Sequence, residues 1–250
     1  MNETKFVWHE LTTVDPMAAK RFYPELFGWT ARDQDMGPHG VYTLWMNGER
    51  GVGGMMAVDK GHGIPSQWIG YVKVPDVDLA AGKATKLGGK LMVPPSDIPE
   101  VGRFAMMHDP QGAAVAVMKV AGPDMPWEAP RVHEWCWDEL NTTDPKGAMA
   151  FYGEVVGWKF HTEEMGNYGS YTLLMWGDEH QGGMQKARDG VPAWVFHVSV
   201  DDVDVWAKKV TTLGGKVLVP PMDTPFGRFA KVSDPTGAMF ALWKSFPRNK

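Results

Sequence analysis

Thiols, basic clusters and a leader-like opening are all scarce in this sequence, and each scarcity excludes something. Its one cysteine, Cys136, cannot close an internal disulfide. Lys and Arg number 25 against 30 Asp and Glu, for a formal charge of −5, and they gather nowhere into a patch. Nucleic acid and membrane surfaces are therefore set aside as partners. The opening MNETKFVWHEL has neither a basic n-region nor a long apolar core, so the expected compartment is reducing and cytoplasmic. Tryptophan (12) and methionine (17) are abundant, in a chain of 250 residues that is 44% hydrophobic and 22% charged. That is the composition of a globular protein long enough to bury about three quarters of its unfolded surface. Large, adaptable side chains in this number favour a roomy interior pocket.

The chain repeats itself. Trp8 through Trp29 overlays Trp137 through Trp158 without a gap, with 12 of 22 positions identical. The match continues as Tyr42-Thr43-Leu44 onto Tyr171-Thr172-Leu173, Gly54-Met55 onto Gly183-Met184, and Gly88-Gly89-Lys90 onto Gly214-Gly215-Lys216. It closes with Gly102-Arg103-Phe104-Ala105 onto Gly227-Arg228-Phe229-Ala230, and Asp109-Pro110-Gln111-Gly112 onto Asp234-Pro235-Thr236-Gly237. The division this implies is a domain over 1–120, a proline-rich linker over 121–130, and a second domain over 131–250.

Period and punctuation give the elements of each copy. Phe6 to Leu11 reads as a strand; Asp15-Pro16 then offers an N-cap side chain and a proline at the first helical position. Ala19, Phe22, Tyr23 and Leu26 share one face of the helix that follows, as do Ala148, Phe151, Tyr152 and Val155, and Gly28 or Gly157 ends it. Short strands follow near 41–46 and 51–58. A second leading strand spans 68–74, and a helix over 77–87 stops at Gly88. Asp-Pro-x-Gly supplies a type I turn between the last two strands. The expected architecture is α+β: four βαβββ modules of about 60 residues, helices on one side of mixed sheets, with a cleft between paired modules.

Leu11-Thr12-Thr13-Val14-Asp15, seven residues ahead of Phe22-Tyr23, followed by Phe27-Gly28-Trp29, resembles the opening of a vicinal-oxygen-chelate module. The strand, Asp-Pro-x-Gly, strand ending is similar to that family's close. The resemblance is to the superfamily of glyoxalases, bleomycin-resistance proteins and extradiol dioxygenases, and it covers nearly the whole chain. It implies a cleft in which metal-using members hold a divalent ion on His and Glu from first and last strands, leaving positions open for two substrate oxygens. Carried onto this sequence, the ligand positions fall on Trp8, Ile69 and Ala116 in copy one, and on Trp137, Val195 and Ala241 in copy two. None is a metal ligand. A one-residue slip would reach His9, which lies on the opposite face of its strand. The expectation is two aromatic-walled hollows without metal or other cofactor, similar to the metal-free members that hold a drug between aromatic side chains.

Glu10 and Glu139, two residues beyond Trp8 and Trp137, share their face. They read either as general bases or ligand anchors, or as structural ion-pair partners of the repeated Arg103 and Arg228, themselves candidate ligand contacts. His197 and Tyr71 occupy matching positions, as an acid–base group and a lining ring, or as core. Trp8 and Trp137 read equally as pocket wall or core, and Cys136 as a buried thiol on the other face. The chain is thus expected to bind a small apolar or aromatic molecule in one or both clefts, as a monomer or homodimer. Two rivals stand beside this reading. One is a metal-dependent lyase, isomerase or extradiol-type dioxygenase; the other is metal-free catalysis by Glu10, Glu139, Tyr71 or His197. His197 makes copy two the more polar cleft.

Overall fold

Aspartate and proline start the helices. The Asp15 and Asp144 carboxylates accept the backbone N–H groups of Ala18 (3.0 Å) and Gly147 (3.1 Å), with a proline directly after each cap. Gly28, at φ 74°, ends the first helix by donating its N–H to the Pro24 carbonyl, a conformation glycine adopts without steric cost. The computed structural model describes residues 4–37, 40–123, 128–166 and 169–247. The linker expected over 121–130 therefore lies partly outside the described residues.

Copy one runs β1 (Phe6–Thr13), α1 (Pro16–Phe27), β2 (Thr30–Asp35), β3 (Val41–Asn47), β4 (Arg50–Ala57), β5 (Gln67–Lys73), α2 (Val77–Lys86), β6 (Lys90–Ile98), β7 (Gly102–His108) and β8 (Ala114–Val120). Copy two runs β9 (Trp135–Thr142), α3 (Pro145–Val155), β10 (Lys159–Glu164), β11 (Ser170–Trp176), β12 (Glu179–Lys186), β13 (Ala193–Ser199), α4 (Val203–Thr212), β14 (Lys216–Asp223), β15 (Gly227–Ser233) and β16 (Met239–Ser245). These are four βαβββ modules, and the α+β expectation holds. They form two eight-stranded sheets, ordered β2-β3-β4-β1-β5-β8-β7-β6 and β10-β11-β12-β9-β13-β16-β15-β14. Both are mixed: β1 with β4 and β5 with β8 run parallel, while the hairpins run antiparallel. Among the described residues no helix is long and apolar enough to cross a membrane.

The compact units draw on both copies. One comprises Met1–Trp8, Ile69–Glu128 and Trp137–Val195; the other comprises His9–Trp68, Ala129–Cys136 and Phe196–Lys250. Within the first, Tyr152 on α3 donates to Asp109 of the first Asp-Pro-x-Gly turn (3.0 Å) and accepts from the Trp194 indole (2.9 Å). Within the second, Tyr23 on α1 donates to Asp234 (3.1 Å) and accepts from Trp68 (2.8 Å). The other oxygen of each aspartate caps its own turn, Asp109 receiving the N–H groups of Gln111, Gly112 and Ala113. A tyrosine from one copy is thus bonded to the turn of the other. These are buried hydrogen bonds, and one left unmade costs about 1–3 kcal/mol.

Around these links the aromatic rings pack tightly. Trp29 stacks on Tyr23 (centroids 5.6 Å), Trp158 on Tyr152 (5.8 Å), and Trp29, Trp45, Trp68, Trp158 and Trp194 are all 5% exposed or less. These five indoles fill core, where burying a large side chain contributes roughly 1.5–3 kcal/mol.

Candidate functional site

In a strand, alternate residues share a face, so Trp137, Glu139 and Asn141 of β9 point together. Gly183 and Gln185 of β12 lie opposite Glu139 and Asn141, and Tyr171 of β11 lies opposite Gln185. The five polar or aromatic side chains meet. The Trp137 indole donates to the Tyr171 hydroxyl (2.8 Å), which donates to Glu139 Oε2 (3.0 Å). Gln185 Nε2 donates to Glu139 Oε1 at 2.8 Å, and Asn141 Nδ2 reaches the same oxygen at 3.4 Å. Burial, and then the neighbouring Glu139 carboxylate, hold the Tyr171 phenol well above its ordinary pKa, so it remains a donor. Gly183 makes room: a Cβ there would collide with the Tyr171 hydroxyl and ring. Trp137, Glu139, Asn141, Tyr171 and Gln185 are all half-buried, unlike the core indoles.

Two of these positions, Trp137 and Glu139, were expected from sequence; Tyr171, Gln185 and Asn141 were not. Tyr171 had a signal, since Tyr42-Thr43-Leu44 repeats as Tyr171-Thr172-Leu173 and Gly54 repeats as Gly183. Gln185 and Asn141 had none, because copy one carries Met56 and Thr12 there.

In the first unit, half-buried Trp8 packs with Ile69, Tyr71, Ala116 and Met118. The three positions that the family resemblance assigns to metal ligands in copy one therefore do converge, and what converges is indole, sec-butyl and methyl. Their counterparts Trp137, Val195 and Ala241 offer no donor suited to a divalent ion either. Among the described residues no three His, Cys, Asp or Glu side chains are grouped to hold one. The residues present do not fit the family's metal. His9, the alternative under a one-residue slip, packs its ring against Trp135 (4.9 Å) and Phe196 (4.8 Å).

The matching of Tyr71 with His197 is reproduced by strand register, Tyr71 lying opposite Ala116 and His197 opposite Ala241. Tyr71 is 4% exposed and His197 5%, the latter with its ring 5.9 Å from Trp243. Cys136 Sγ donates to the His197 carbonyl at 3.4 Å. Glu10 is buried on β1, opposite Gly54. Arg103 spans Asp78 (2.8 and 2.9 Å) and Asp97 (3.0 Å), and Arg228 spans Asp204 (2.6 and 2.9 Å) and Asp223 (2.7 Å). Each guanidinium pins a helix to an edge strand, while the donors to Glu139 are all neutral. A concavity of about 490 Å³ in the first unit, lined by Val74, Leu79, Lys83, Val156 and Trp176 among others, includes none of the candidate residues.

A sheet-borne site on four βαβββ modules defines the class. The chain belongs to the Glyoxalase/Bleomycin resistance protein/Dioxygenase superfamily, whose sequence model matches residues 5–117 and 136–242. It is 38% identical over 257 residues to the Mycobacterium tuberculosis protein named "Putative glyoxylase CFP32", covering 96% of this chain and 95% of that one. It is 30% identical over 272 residues to the anthracycline biosynthesis protein DauV of Streptomyces sp. strain C5, covering 94% and 91%. In fold it is similar to the Mn(II)-bound glyoxalase of Novosphingobium aromaticivorans, with a TM-score of 0.64, 15% identity, and 96% and 83% coverage.

Proposed function

We propose that this protein binds a small apolar or aromatic molecule, without a metal ion, against the sheet face that carries Trp137. The observation that carries the reading is the indole of Trp137. It stands at the first-strand position that metal-using relatives give to a ligand, it is half-buried, and its N–H is fixed on Tyr171. A fixed, partly open aromatic face is a low-entropy surface for a planar partner. A relative named for anthracycline biosynthesis is in keeping with an aromatic ligand. Cytoplasmic residence is part of the same proposal, resting on a composition with one cysteine and no basic cluster.

A second reading, catalysis without metal at the same place, is favoured by the Glu139 carboxylate, half-buried and held by Tyr171 and Gln185. Native mass spectrometry with elemental analysis of the protein as isolated tests the first. The expected result is a carried organic molecule, or uptake of an aromatic probe, with no stoichiometric divalent ion. A stoichiometric ion that chelator removes, and whose return restores ligand uptake or turnover, would overturn it.

A further inference from the structure

The polar half of the site is lopsided in hydrogen-bonding capacity. A carboxylate offers about four acceptor positions. At Glu139, Oε1 receives Gln185 and Asn141, and Oε2 receives Tyr171, which leaves one acceptor position on Oε2. The strong donors nearby are already spent: the Trp137 N–H on Tyr171, and the Tyr171 O–H on Glu139. The three groups donating to Glu139 are neutral, so its negative charge is oriented by them but not cancelled. What the cluster lacks is a donor beside an apolar ring face. We infer that the ligand of copy two is a neutral or cationic planar molecule carrying a hydroxyl or N–H group, which it donates to Glu139 Oε2 while its ring lies against Trp137, and that anionic ligands are rejected.

This inference rests on the proposed aromatic binding and adds the chemistry of the ligand's polar end. Tyr171 and Gln185 act through Glu139 and are positioning residues. Gly183 belongs to the arrangement, because a methyl there would drive the Tyr171 phenol away from Glu139. Copy one differs in sequence here, Met56 facing Tyr42 where Gln185 faces Tyr171.

Three probes of nearly equal size separate the contributions: 2-naphthol, naphthalene and 2-naphthoate. Titration into the full chain at neutral pH is followed by calorimetry and by the Trp137 indole N–H resonance, assigned with Trp137→Phe. Wild-type protein is expected to hold 2-naphthol at least about tenfold more tightly than either of the others, the worth of one charge-assisted hydrogen bond. Glu139→Gln should erase the preference over naphthoate while leaving naphthalene affinity unchanged. Gln185→Met should weaken naphthol several-fold with naphthalene unaffected, a split that general loss of structure does not produce, whereas Tyr171→Phe, which also frees the Trp137 indole, should weaken both. Equal binding of naphthol and naphthoate by wild type, or a preference that survives Glu139→Gln, would overturn the inference and leave aromatic binding standing. If no probe moves the Trp137 resonance, aromatic binding at this face fails, and the inference with it.

Discussion

The two copies keep one set of residues and part company on another. Tyr23 with Asp234 and Trp68, and Tyr152 with Asp109 and Trp194, are the same three-residue link with the same bond directions and lengths within 0.1 Å. On the strand face, by contrast, Glu10 is 5% exposed with Thr12 and Met56 at the neighbouring positions, while Glu139 is half-buried with Asn141 and Gln185. Thr12 directs its hydroxyl to the Gln67 carbonyl (3.3 Å), whereas Asn141 directs its amide to Glu139. Duplication has thus preserved the bonds that couple modules from different copies and let the strand face diverge. The repeated Phe-Tyr and Asp-Pro-x-Gly segments hold the fold together, and the unmatched residues lie on the face proposed to bind a ligand.

Breaking the shared link should have the largest effect, and an equal one in either unit. Asp109→Ala and Asp234→Ala each strand a tyrosine hydroxyl and several turn amides in buried surroundings. About 3 kcal/mol or more of stability should be lost, from several donors at ~1–3 kcal/mol each. In a chain of this size that lowers Tm by about 6–12 °C, readable by calorimetry. Tyr23→Phe and Tyr152→Phe should cost less, about 1–2 kcal/mol. A large loss in one unit and none in the other would end the claim that the links are equivalent.

Exchanging the divergent pair sharpens the other side of the comparison. Gln185→Met removes a donor to Glu139 and should lower the affinity for 2-naphthol several-fold, with stability changed by less than about 1 kcal/mol, as for most substitutions at partly exposed positions. Met56→Gln, the reverse exchange in copy one, should leave naphthol binding at Trp137 unchanged. An effect of Met56→Gln equal to that of Gln185→Met would place the working face in copy one as well.

A smaller effect follows from ionisation. Burial raises the pKa of both Asp109 and Asp234 above the ordinary carboxylate value, against the lowering by their turn N–H groups and tyrosines. The folded state therefore binds these protons more tightly than the unfolded chain. Their contribution to stability is full below the unfolded carboxylate pKa and is lost as pH rises through the raised folded value. Urea midpoints measured against pH should show wild type declining relative to Asp109→Asn or Asp234→Asn across that interval and running parallel to it above. A relative rise over the same interval would reverse the assignment.

Much of this was legible in the chain because punctuation and repetition are local. Asp15-Pro16, Gly28, Gly88 and Asp109-Pro110 mark caps and turns that the structure places within a residue or so. β2 was not legible: Thr-Ala-Arg-Asp-Gln-Asp is exposed at every position, so no apolar alternation announces it. β6 was obscured by Pro94-Pro95 and by two register shifts against β7. The bond from Tyr23 to Asp234 joins residues 211 apart, and no periodicity reports on such a pair. At the site, the face of β9 followed from its period of two, but the grip on Glu139 depended on which strands become its neighbours.

The arginine pairs supply the smallest expected effect and the last way to break the comparison. Arg103 and Arg228 are repeated, and each forks between an aspartate on its helix and one on the adjacent edge strand. Hydrogen bonding to those aspartates raises both guanidinium pKa values and lowers those of Asp78 and Asp204. All of these groups meet solvent, where water and salt screen the attraction and ordering long side chains offsets part of it. Arg103→Met and Arg228→Met should therefore move the urea midpoint by a small fraction of the Asp109→Ala effect, equally in both copies. The shift should shrink further in about 1 M salt, where screening acts within about 3 Å. A shift that persists at high salt, or a loss of 2-naphthol affinity in Arg228→Met, would return these arginines from stapling helices to holding ligand.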